Sequence, residues 1–294
     1  MFTNEDNPSC PSVHFHSGRC IYYQSRPSLS GSALFIFTDT DFIECEVYGD
    51  DSYGGAIDCT AGDLIIKRCS FMQCFCSNRG GAVSFRSSGL CTQEDNIYSS
   101  CSTDGWSASF DSWDIQKGPS HNHRRCKYLN SYTQADYGHT CIEYSVGINI
   151  DSNIYIHGRT GGNTYPGTVV HHHTKKPLLF SNCLFTDGQA QQSGGLSLLA
   201  GDNTNSAMLT VKFCFFFNNY GKDNTAREIY FDSTTTINAQ KELIIHSFSA
   251  TPNSKVFIQN ETPQDKDWLY HANKNSTIKI TYSGYTLTIA YLHI

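Results

Sequence analysis

The chain has 294 residues, which is room for one large domain or two ordinary ones. Asp and Glu outnumber Lys and Arg by 27 to 21, and the resulting net charge of −6 argues against a general nucleic-acid binder, which needs a basic surface. Aromatic residues make up 13% and charged residues 16% of the chain, a composition typical of folded proteins and not of disordered ones.

Residues 1–30 are predicted to form an N-terminal cap. This segment opens with acidic residues and has no apolar stretch, so the sequence predicts no signal peptide. No apolar run in the chain approaches the ~18–20 residues that cross a bilayer, and we therefore expect no transmembrane segment. Short β-type runs follow the cap, separated by clusters of Gly, Asn, Asp and Ser, at 34–37, 64–66, 82–85, 178–180 and 209–211.

An internal repeat organises residues 31–250. Aromatic residues recur at Phe42, Phe71, Tyr98, Tyr128, Phe185 and Phe216. The one long gap has room for a further member near Tyr155 or Ile156, and the six steps then average 29 residues. Helical repeats run to about 33–47 residues and propeller blades to about 40 or more. The period and the short strands together predict an all-β right-handed parallel β-helix of seven or eight coils.

In such a helix each position of a coil stacks on the same position of the next coil, about 4.8 Å away. The recurring aromatic residues should therefore form an inward stack. Three residues later we expect a ladder of small or amide side chains: Cys45, Cys74, Cys101, Ser131, Gly188 and Asn219. The Gly-Gly pairs at 54–55, 80–81 and 194–195 predict sharp turns with positive φ, after which an Ala or aliphatic residue re-enters the core.

Residues 251–294 lose the Gly-Gly signal and are predicted to form a C-terminal β cap. Alternating strands around Ser283 and Gly284 predict a hairpin that covers the last coil and protects its edge. The chain also contains 13 cysteines, an odd number. Two explanations stand: the protein is exported and partly disulfide-bonded, or buried thiols serve as small core residues.

The repeated Gly-Gly-Ala-aliphatic and Phe-x-x-Asn elements resemble the polymorphic outer-membrane protein repeat of chlamydial and trichomonad surface proteins. The matching residues are Gly54-Gly55-Ala56-Ile57, Gly80-Gly81-Ala82-Val83, the variant Gly194-Gly195-Leu196, and Phe216-Phe217-Asn218-Asn219. The Phe-x-x-Cys elements that begin at Phe42 and Phe71 look like the cysteine-rich eukaryotic versions.

The resemblance implies a pectin-lyase-like β-helix, secreted or displayed on a cell surface, which adheres to host cells, matrix or glycans. The implied partner is a host-cell surface protein or a glycan, and no nucleic acid. Family members usually carry a signal peptide and a C-terminal anchor, neither of which this sequence shows. The first prediction is a non-enzymatic protein with no catalytic, cofactor-binding or metal-binding residues and no cofactor.

A carbohydrate-active enzyme, either a lyase or a glycoside hydrolase, is the alternative prediction. It would need paired carboxylates, or acidic calcium ligands with a basic residue nearby. Asp39 with Asp41, Asp50 with Asp51, and the lone Arg159 are the candidates considered, but the aspartates fall where turns are expected. The same holds for a series ahead of the Gly-Gly turns, which favours Asx-capped turns over a calcium edge: Asp51, Asn78, Asp104, Asp136 and Asp223.

Three further features could have a function. His171-His172-His173, followed by two lysines and a proline, is predicted to be an exposed loop and not a metal site. Residues 121–125, His-Asn-His-Arg-Arg, are predicted to be a solvated basic loop. Trp106 and Trp113 could stack on sugar rings or contact a protein partner if they are exposed, and a buried position lining a coil is an equal possibility.

Overall fold

A computed structural model describes residues 13–20, 28–30, 34–60, 62–113, 118–135, 137–162, 167–172, 178–191, 193–199, 209–221, 229–232, 243–249, 256–259, 278–282 and 285–289. Within these ranges the regular structure is entirely β, in strands that form three sheets named here A, B and C. No helix in this part of the chain has the length and apolar character needed to cross a membrane.

Sheet A has 16 strands, two from each of the regular coils. These strands form two rows that run from coil to coil. The long strands Leu34–Ile43 and Leu209–Phe217 pair with strands of both rows and so join the two rows into one sheet. The strands are Val13–Cys20, Leu34–Ile43, Asp63–Lys67, Ser70–Met72, Leu90–Glu94, Ile97–Ser99, Ser120–Arg124, Lys127–Leu129, Gly147–Asp151, Ile154–Ile156, Leu178–Ser181, Leu184–Thr186, Leu209–Phe217, Leu243–Ser249, Ile278–Tyr282 and Tyr285–Ile289.

Sheet B stacks seven two-residue strands, one from each coil: Glu46–Val47, Phe75–Cys76, Ser102–Thr103, Tyr132–Thr133, Arg159–Thr160, Gln189–Ala190 and Tyr220–Gly221. Sheet C stacks nine strands: Ser28–Leu29, Ile57–Cys59, Val83–Phe85, Phe110–Trp113, Thr140–Glu143, Gly167–His172, Ser193–Leu199, Ile229–Asp232 and Val256–Gln259. Strands of neighbouring coils pair in parallel, which confirms the predicted parallel β-helix.

The predicted aromatic stack is confirmed, and Tyr155 fills its gap. The seven rings are in register from coil to coil, in steps of 27 to 31 residues. Successive ring centroids lie 4.6–4.9 Å apart with interplanar angles of 2–10°. The strand spacing of a β-sheet imposes this separation, and the enclosed rings supply a large part of the buried apolar surface.

A corner with left-handed backbone conformation lies two residues after each aromatic residue of the stack, and a second such corner lies three residues before each of them except Phe216. Their φ angles lie between 51° and 58° although none is a glycine, which requires that neighbouring coils hold them in place. The first corner is formed by Asp39, Arg68, Asp95, Arg125, Ser152 and Asn182, and the second by Glu44, Gln73, Ser100, Asn130, His157, Asp187 and Asn218.

The ladder of small and amide side chains is also present and buried. The thiol of Cys101 lies 3.5 Å from the carbonyl oxygen of Phe71, the stacked residue of the preceding coil. Asn219 donates from Nδ2 to the equivalent carbonyl of Phe185 at 3.0 Å. These side chains therefore satisfy backbone carbonyls next to the aromatic stack.

The Gly-Gly prediction is confirmed for two pairs; for the third pair the predicted turn is wrong, although the following Leu196 is buried in the core as expected. Gly54 and Gly80 have φ of +60° and +67°, and the alanines that follow each pair are buried. Gly194 and Gly195 lie inside strand Ser193–Leu199 instead. The register places Leu196 on Val169, in the column of Val83. The segment between the stacked aromatic residue and the sheet C strand is one residue shorter after Phe185 than after Phe71. The glycine pair of this coil therefore lies in the strand and not in the turn before it.

Parallel pairing extends on both sides of 31–250. Val13–Cys20 pairs with Leu34–Ile43, and Ile278–Tyr282 pairs with Leu243–Ser249. Ile278–Tyr282 then pairs antiparallel with Tyr285–Ile289, which confirms the predicted C-terminal hairpin.

The eleven cysteines whose side chains the structure describes are buried free thiols. They pack as small core residues, which is the second of the two explanations above.

Candidate functional site

The aspartates considered as a catalytic pair make separate contacts between coils. Asp39 accepts two hydrogen bonds of 2.7 Å from Arg68, and the bonded guanidinium lowers the pKa of this carboxyl. Asp41 accepts a hydrogen bond from the hydroxyl of Ser70. Both carboxylates are exposed and engaged by side chains of the following coil.

The residues ahead of the Gly-Gly turns were predicted to cap turns, and the described contacts agree with a structural role. Asn78 donates from Nδ2 to the carbonyl oxygen of Asp50 at 2.6 Å, which links two successive turns. Asp136 and Asp223 lie outside the described residues. His171 and His172 lie at the end of strand Gly167–His172, so the predicted loop is wrong for these two residues, and His173 lies outside the described residues.

An exposed row of side chains runs along the outer face of sheet B. Tyr132, Arg159, Gln189 and Tyr220 follow one another in register on successive coils. All four are exposed, and each of the two tyrosines has 47% of its surface accessible. The next residue of each strand is buried because alternate side chains of a strand face opposite sides. We call these four residues the sheet B row.

Neighbouring residues position the two tyrosines of this row. The hydroxyl of Tyr220 donates to Asn218 Oδ1 at 2.9 Å. A Cβ on Gly161 would come within 3.2 Å of the hydroxyl of Tyr132, so the glycine leaves room for this side chain along the sheet. No carboxylate of the described residues lies within ion-pair distance of Arg159. The guanidinium is therefore available to a ligand between two aromatic rings.

The outer face of sheet C carries a second cluster, centred on Arg79. Its guanidinium carbon lies 3.7 Å from the ring centroid of Trp106 and 4.9 Å from that of Trp113. Its Nη1 lies 3.9 Å from Asp111 Oδ2 and 3.7 Å from Glu143 Oε1. Both tryptophans are half-buried, so they cover this ion cluster and do not form an open stacking platform.

Burial has strong electrostatic consequences in the Arg79 cluster. Loss of hydration raises the pKa of Asp111 to about 6, and burial followed by repulsion from Asp111 raises that of Glu143 to about 7. Among the described residues, neither Arg79 Nη1 nor Asp111 Oδ2 has a hydrogen-bond partner. Asp111 Oδ2 and Glu143 Oε1 both approach Arg79 Nη1. The sum of their distances to this nitrogen sets an upper limit of 7.6 Å on the separation of the two oxygens.

A third cluster lies in the interior, on the inner face of sheet A. Cys91 pairs with His121, and Gln93 pairs with His123, so that four polar or sulfur-bearing side chains form a two-by-two group. Leu64 and Ile66 occupy the same columns on one side of the group, and Ile148 and Ile150 on the other. All eight side chains are buried.

The prediction of a solvated basic loop at 121–125 was therefore wrong. Residues 120–124 form strand Ser120–Arg124, and alternation turns His121 and His123 inward while Asn122 and Arg124 face solvent. The signal was present in the sequence: the two histidines stand 30 residues after Cys91 and Gln93, one coil away.

Hydrogen bonds orient the side chains of the interior cluster. The hydroxyl of Ser112, on sheet C, lies 3.1 Å from Nε2 of His121. The hydroxyl of Tyr98 donates to Gln93 Oε1 at 2.6 Å, and that of Tyr128 lies 3.5 Å from Nδ1 of His123. His123 Nε2 has no hydrogen-bond partner, and burial lowers the pKa of this histidine to about 3. The imidazole of His123 is therefore neutral at ordinary pH.

Comparison of the chain with protein-family models, with curated proteins and with solved structures finds no match. The resemblance to the polymorphic outer-membrane protein repeat thus stays a prediction. Three parts of the structure therefore bear on function: the sheet B row, the Arg79 cluster and the interior cluster.

Proposed function

We propose that this protein is a non-enzymatic surface or secreted β-helix that acts in adhesion by binding glycans through the sheet B row. The observation that carries the proposal is the exposed guanidinium of Arg159, which has no ion-pair partner among the described residues and lies in one row with two exposed tyrosines. We infer a linear, carboxylate-bearing polysaccharide as the ligand.

The chemistry of the row matches such a polymer. Tyrosine rings offer apolar faces that stack on sugar rings, together with a hydroxyl that remains in water. A guanidinium binds a carboxylate through two parallel hydrogen bonds, and an amide such as that of Gln189 can donate to or accept from a sugar hydroxyl. One side chain is presented per coil at the strand spacing, so a repeating polymer can contact several coils in the same way.

The rigidity of the row also favours binding. The backbones of Tyr132, Arg159 and Gln189 belong to strands paired on both sides. Tyr220 lies in the edge strand of sheet B, and its ring is held by its bond to Asn218. Side chains that are ordered before binding lose less conformational entropy in the complex. A modest contact area can therefore give measurable affinity.

Isothermal titration calorimetry with a uronic-acid homopolymer tests the proposal. We expect Arg159→Gln to weaken binding about tenfold or more, because hydrogen bonds to charged groups contribute about 1.5–3 kcal/mol. Tyr132→Ala should have a comparable effect. Lys127→Gln is the matched control, since it removes an exposed cation from sheet A and should leave the affinity unchanged. Equal affinity of wild type and Arg159→Gln would refute the role of the row.

A carbohydrate-active enzyme is the second candidate, and the Arg79 cluster favours it. Asp111 and Glu143 approach one arginine, and their elevated pKa values suit groups that exchange protons near neutral pH. Glycosidases separate their carboxyl groups by about 5–5.5 Å or about 6.5–9.5 Å, both of which the 7.6 Å limit permits. A substrate would have to reach the cluster past Trp106 and Trp113.

Polysaccharide cleavage distinguishes the second candidate from the first. If the Arg79 cluster is catalytic, wild-type protein shortens a polysaccharide, and Glu143→Gln abolishes the shortening while Arg159→Gln retains it at high substrate concentration. If the sheet B row only binds, no variant and no wild-type preparation changes the length of the polymer. Asp39→Asn serves as a control because this carboxylate lies on the exposed edge of sheet A.

A further inference from the structure

The interior cluster combines three side chains that commonly bind transition metals. One ligand atom from each of Cys91, His121 and His123 lies within 4.8 Å of the other two. Sulfur and nitrogen ligands bound at about 2.0–2.3 Å hold one another about 3.3–4 Å apart, so small side-chain rotations bring these three around one ion. In the described part of the chain this is the one such group of three or more His, Cys, Asp or Glu.

The position of the cluster requires an explanation that packing does not supply. The same columns hold leucine and isoleucine in the coils on either side, which would bury apolar surface without a penalty. His123 is only 1% exposed, and its Nε2 has no hydrogen-bond partner in the part of the chain that the structure describes. A buried polar atom without a partner costs about 1–3 kcal/mol, and such atoms are rare in folded proteins unless a water or an ion completes them.

We propose that Cys91, His121 and His123 bind one monovalent copper ion inside the β-helix. Binding forms a bond between copper and the sulfur of Cys91, and the thiol proton leaves to solvent. The resulting thiolate, one Cu⁺ and two neutral imidazoles have no net charge. A divalent ion such as Zn²⁺ would leave one positive charge in an apolar interior, where an unpaired ion is costly.

The ligand types agree with this assignment. Thiolate is a soft ligand that selects monovalent copper, and imidazole binds copper well. No carboxylate belongs to the group, which disfavours harder divalent ions. Ser112 lies against Nε2 of His121 at 3.1 Å and so orients this ring, in the way that outer residues commonly fix a metal-binding histidine.

Other buried thiols are the main competitors for copper. Cys45, Cys74 and Cys101 stack in one ladder, and Cys183 lies beside Cys214. A copper ion held there would have two or more sulfur ligands and no nitrogen. X-ray absorption spectroscopy can therefore tell the interior cluster from the cysteine ladder by the first coordination shell.

The test uses the full chain, produced with added copper salts and purified without oxygen, so that copper is present while the coils close. We expect one copper per chain, retained through desalting, with one sulfur and two nitrogens in its first shell. Cys91→Ala and His123→Phe should lose the metal. Cys126→Ala and His139→Phe should keep it, since they remove a buried thiol and a buried imidazole from outside the cluster.

A positioning role for Ser112 has its own readout. We expect Ser112→Ala to weaken copper binding about 10–100-fold in competition with a copper(I) chelator, while the first shell stays unchanged. Copper-free protein, a shell of two or more sulfurs, copper retained in Cys91→Ala, or zinc bound in place of copper would each overturn the proposal. The wild-type spectrum decides the matter even if a variant fails to fold.

Discussion

The hydroxyl of Tyr98 donates a 2.6 Å hydrogen bond to Oε1 of Gln93, five residues earlier in the same coil, and both side chains are buried. This contact explains why the aromatic stack changes from phenylalanine to tyrosine in its middle. Tyr98, Tyr128 and Tyr155 each have a polar group within reach of the hydroxyl. Phe42 and Phe71, at one end of the stack, lie in coils whose inner columns are apolar.

We therefore expect Tyr98→Phe to destabilise the protein by about 1–3 kcal/mol, because Gln93 would lose its strong hydrogen bond in the interior. Tyr220→Phe, which removes an exposed hydroxyl, should change stability by less than about 0.5 kcal/mol. Urea unfolding followed by circular dichroism measures both. Equal midpoints for Tyr98→Phe and wild type would show that the interior contact does not contribute to stability.

Gly80 combines positive φ with a close backbone approach. A Cβ at this position would lie 2.4 Å from the carbonyl oxygen of Val83. Gly49 also has positive φ, yet a Cβ there would meet no atom within 4 Å. Gly80→Ala should therefore be more destabilising than Gly49→Ala, by about the 1–3 kcal/mol typical of overpacking. The difference in their unfolding midpoints reports the close approach at Gly80 together with the different backbone cost of alanine at φ of +67° and +123°. A Gly80→Ala variant as stable as wild type would contradict the described corner.

Glu143 gives a testable dependence of stability on pH. Its pKa in the folded protein is about 7, above the value of 4.5 for a free glutamate, so the folded state holds the proton more tightly. The contribution of Glu143 to the free energy of unfolding is then complete below about pH 4.5. It falls as the pH rises to about 7, by at most about 3 kcal/mol. In Glu143→Gln the part of the decline that comes from Glu143 should be absent, while the part that comes from the raised pKa of Asp111 remains.

Unfolding of wild type and Glu143→Gln should therefore give similar stabilities near pH 4.5 and a relatively more stable variant at pH 8. Glu46→Gln removes a carboxylate from the accessible face of sheet B and is the charge-matched control. A constant difference between wild type and Glu143→Gln across this range would exclude the raised pKa.

Because the described cysteines are buried, we expect their thiols to react slowly in the folded state. All eleven described cysteines are buried, and burial raises the pKa of several of their thiols, including Cys74 and Cys91. Because the thiolate is the reactive form, a thiol reagent should label no more than two of the 13 cysteines quickly at pH 8, and all of them in urea. Rapid labelling of more than two in the absence of urea would contradict the packing.

The repeat could be predicted because it depends on features that are local in sequence. Phe71 and Phe185 each begin a recognisable element, and the spacing between such elements sets the period of the coil. The register of Gly194 could not be predicted in the same way. It depends on how many residues a particular coil uses between two strands, and only pairing with Val169 and the preceding coils fixes that number.

The clusters were harder to predict because their members come from different coils. Asp111 and Glu143 are separated by 32 positions in sequence, and Arg79 brings them together only once the coils stack. His121 looked solvent-exposed because it stands among arginines and an asparagine. Its inward orientation follows from strand register with Cys91, which neither charge nor local composition reveals.

Size-exclusion chromatography of wild-type protein mixed with a uronic-acid homopolymer tests the proposed function most directly. The account predicts that the protein elutes with the polymer, that Arg159→Gln elutes separately, and that the length of the polymer stays constant. A polymer shortened by wild-type protein would point to the Arg79 cluster as a catalytic site. Separate elution of wild-type protein and intact polymer would contradict glycan binding by the sheet B row.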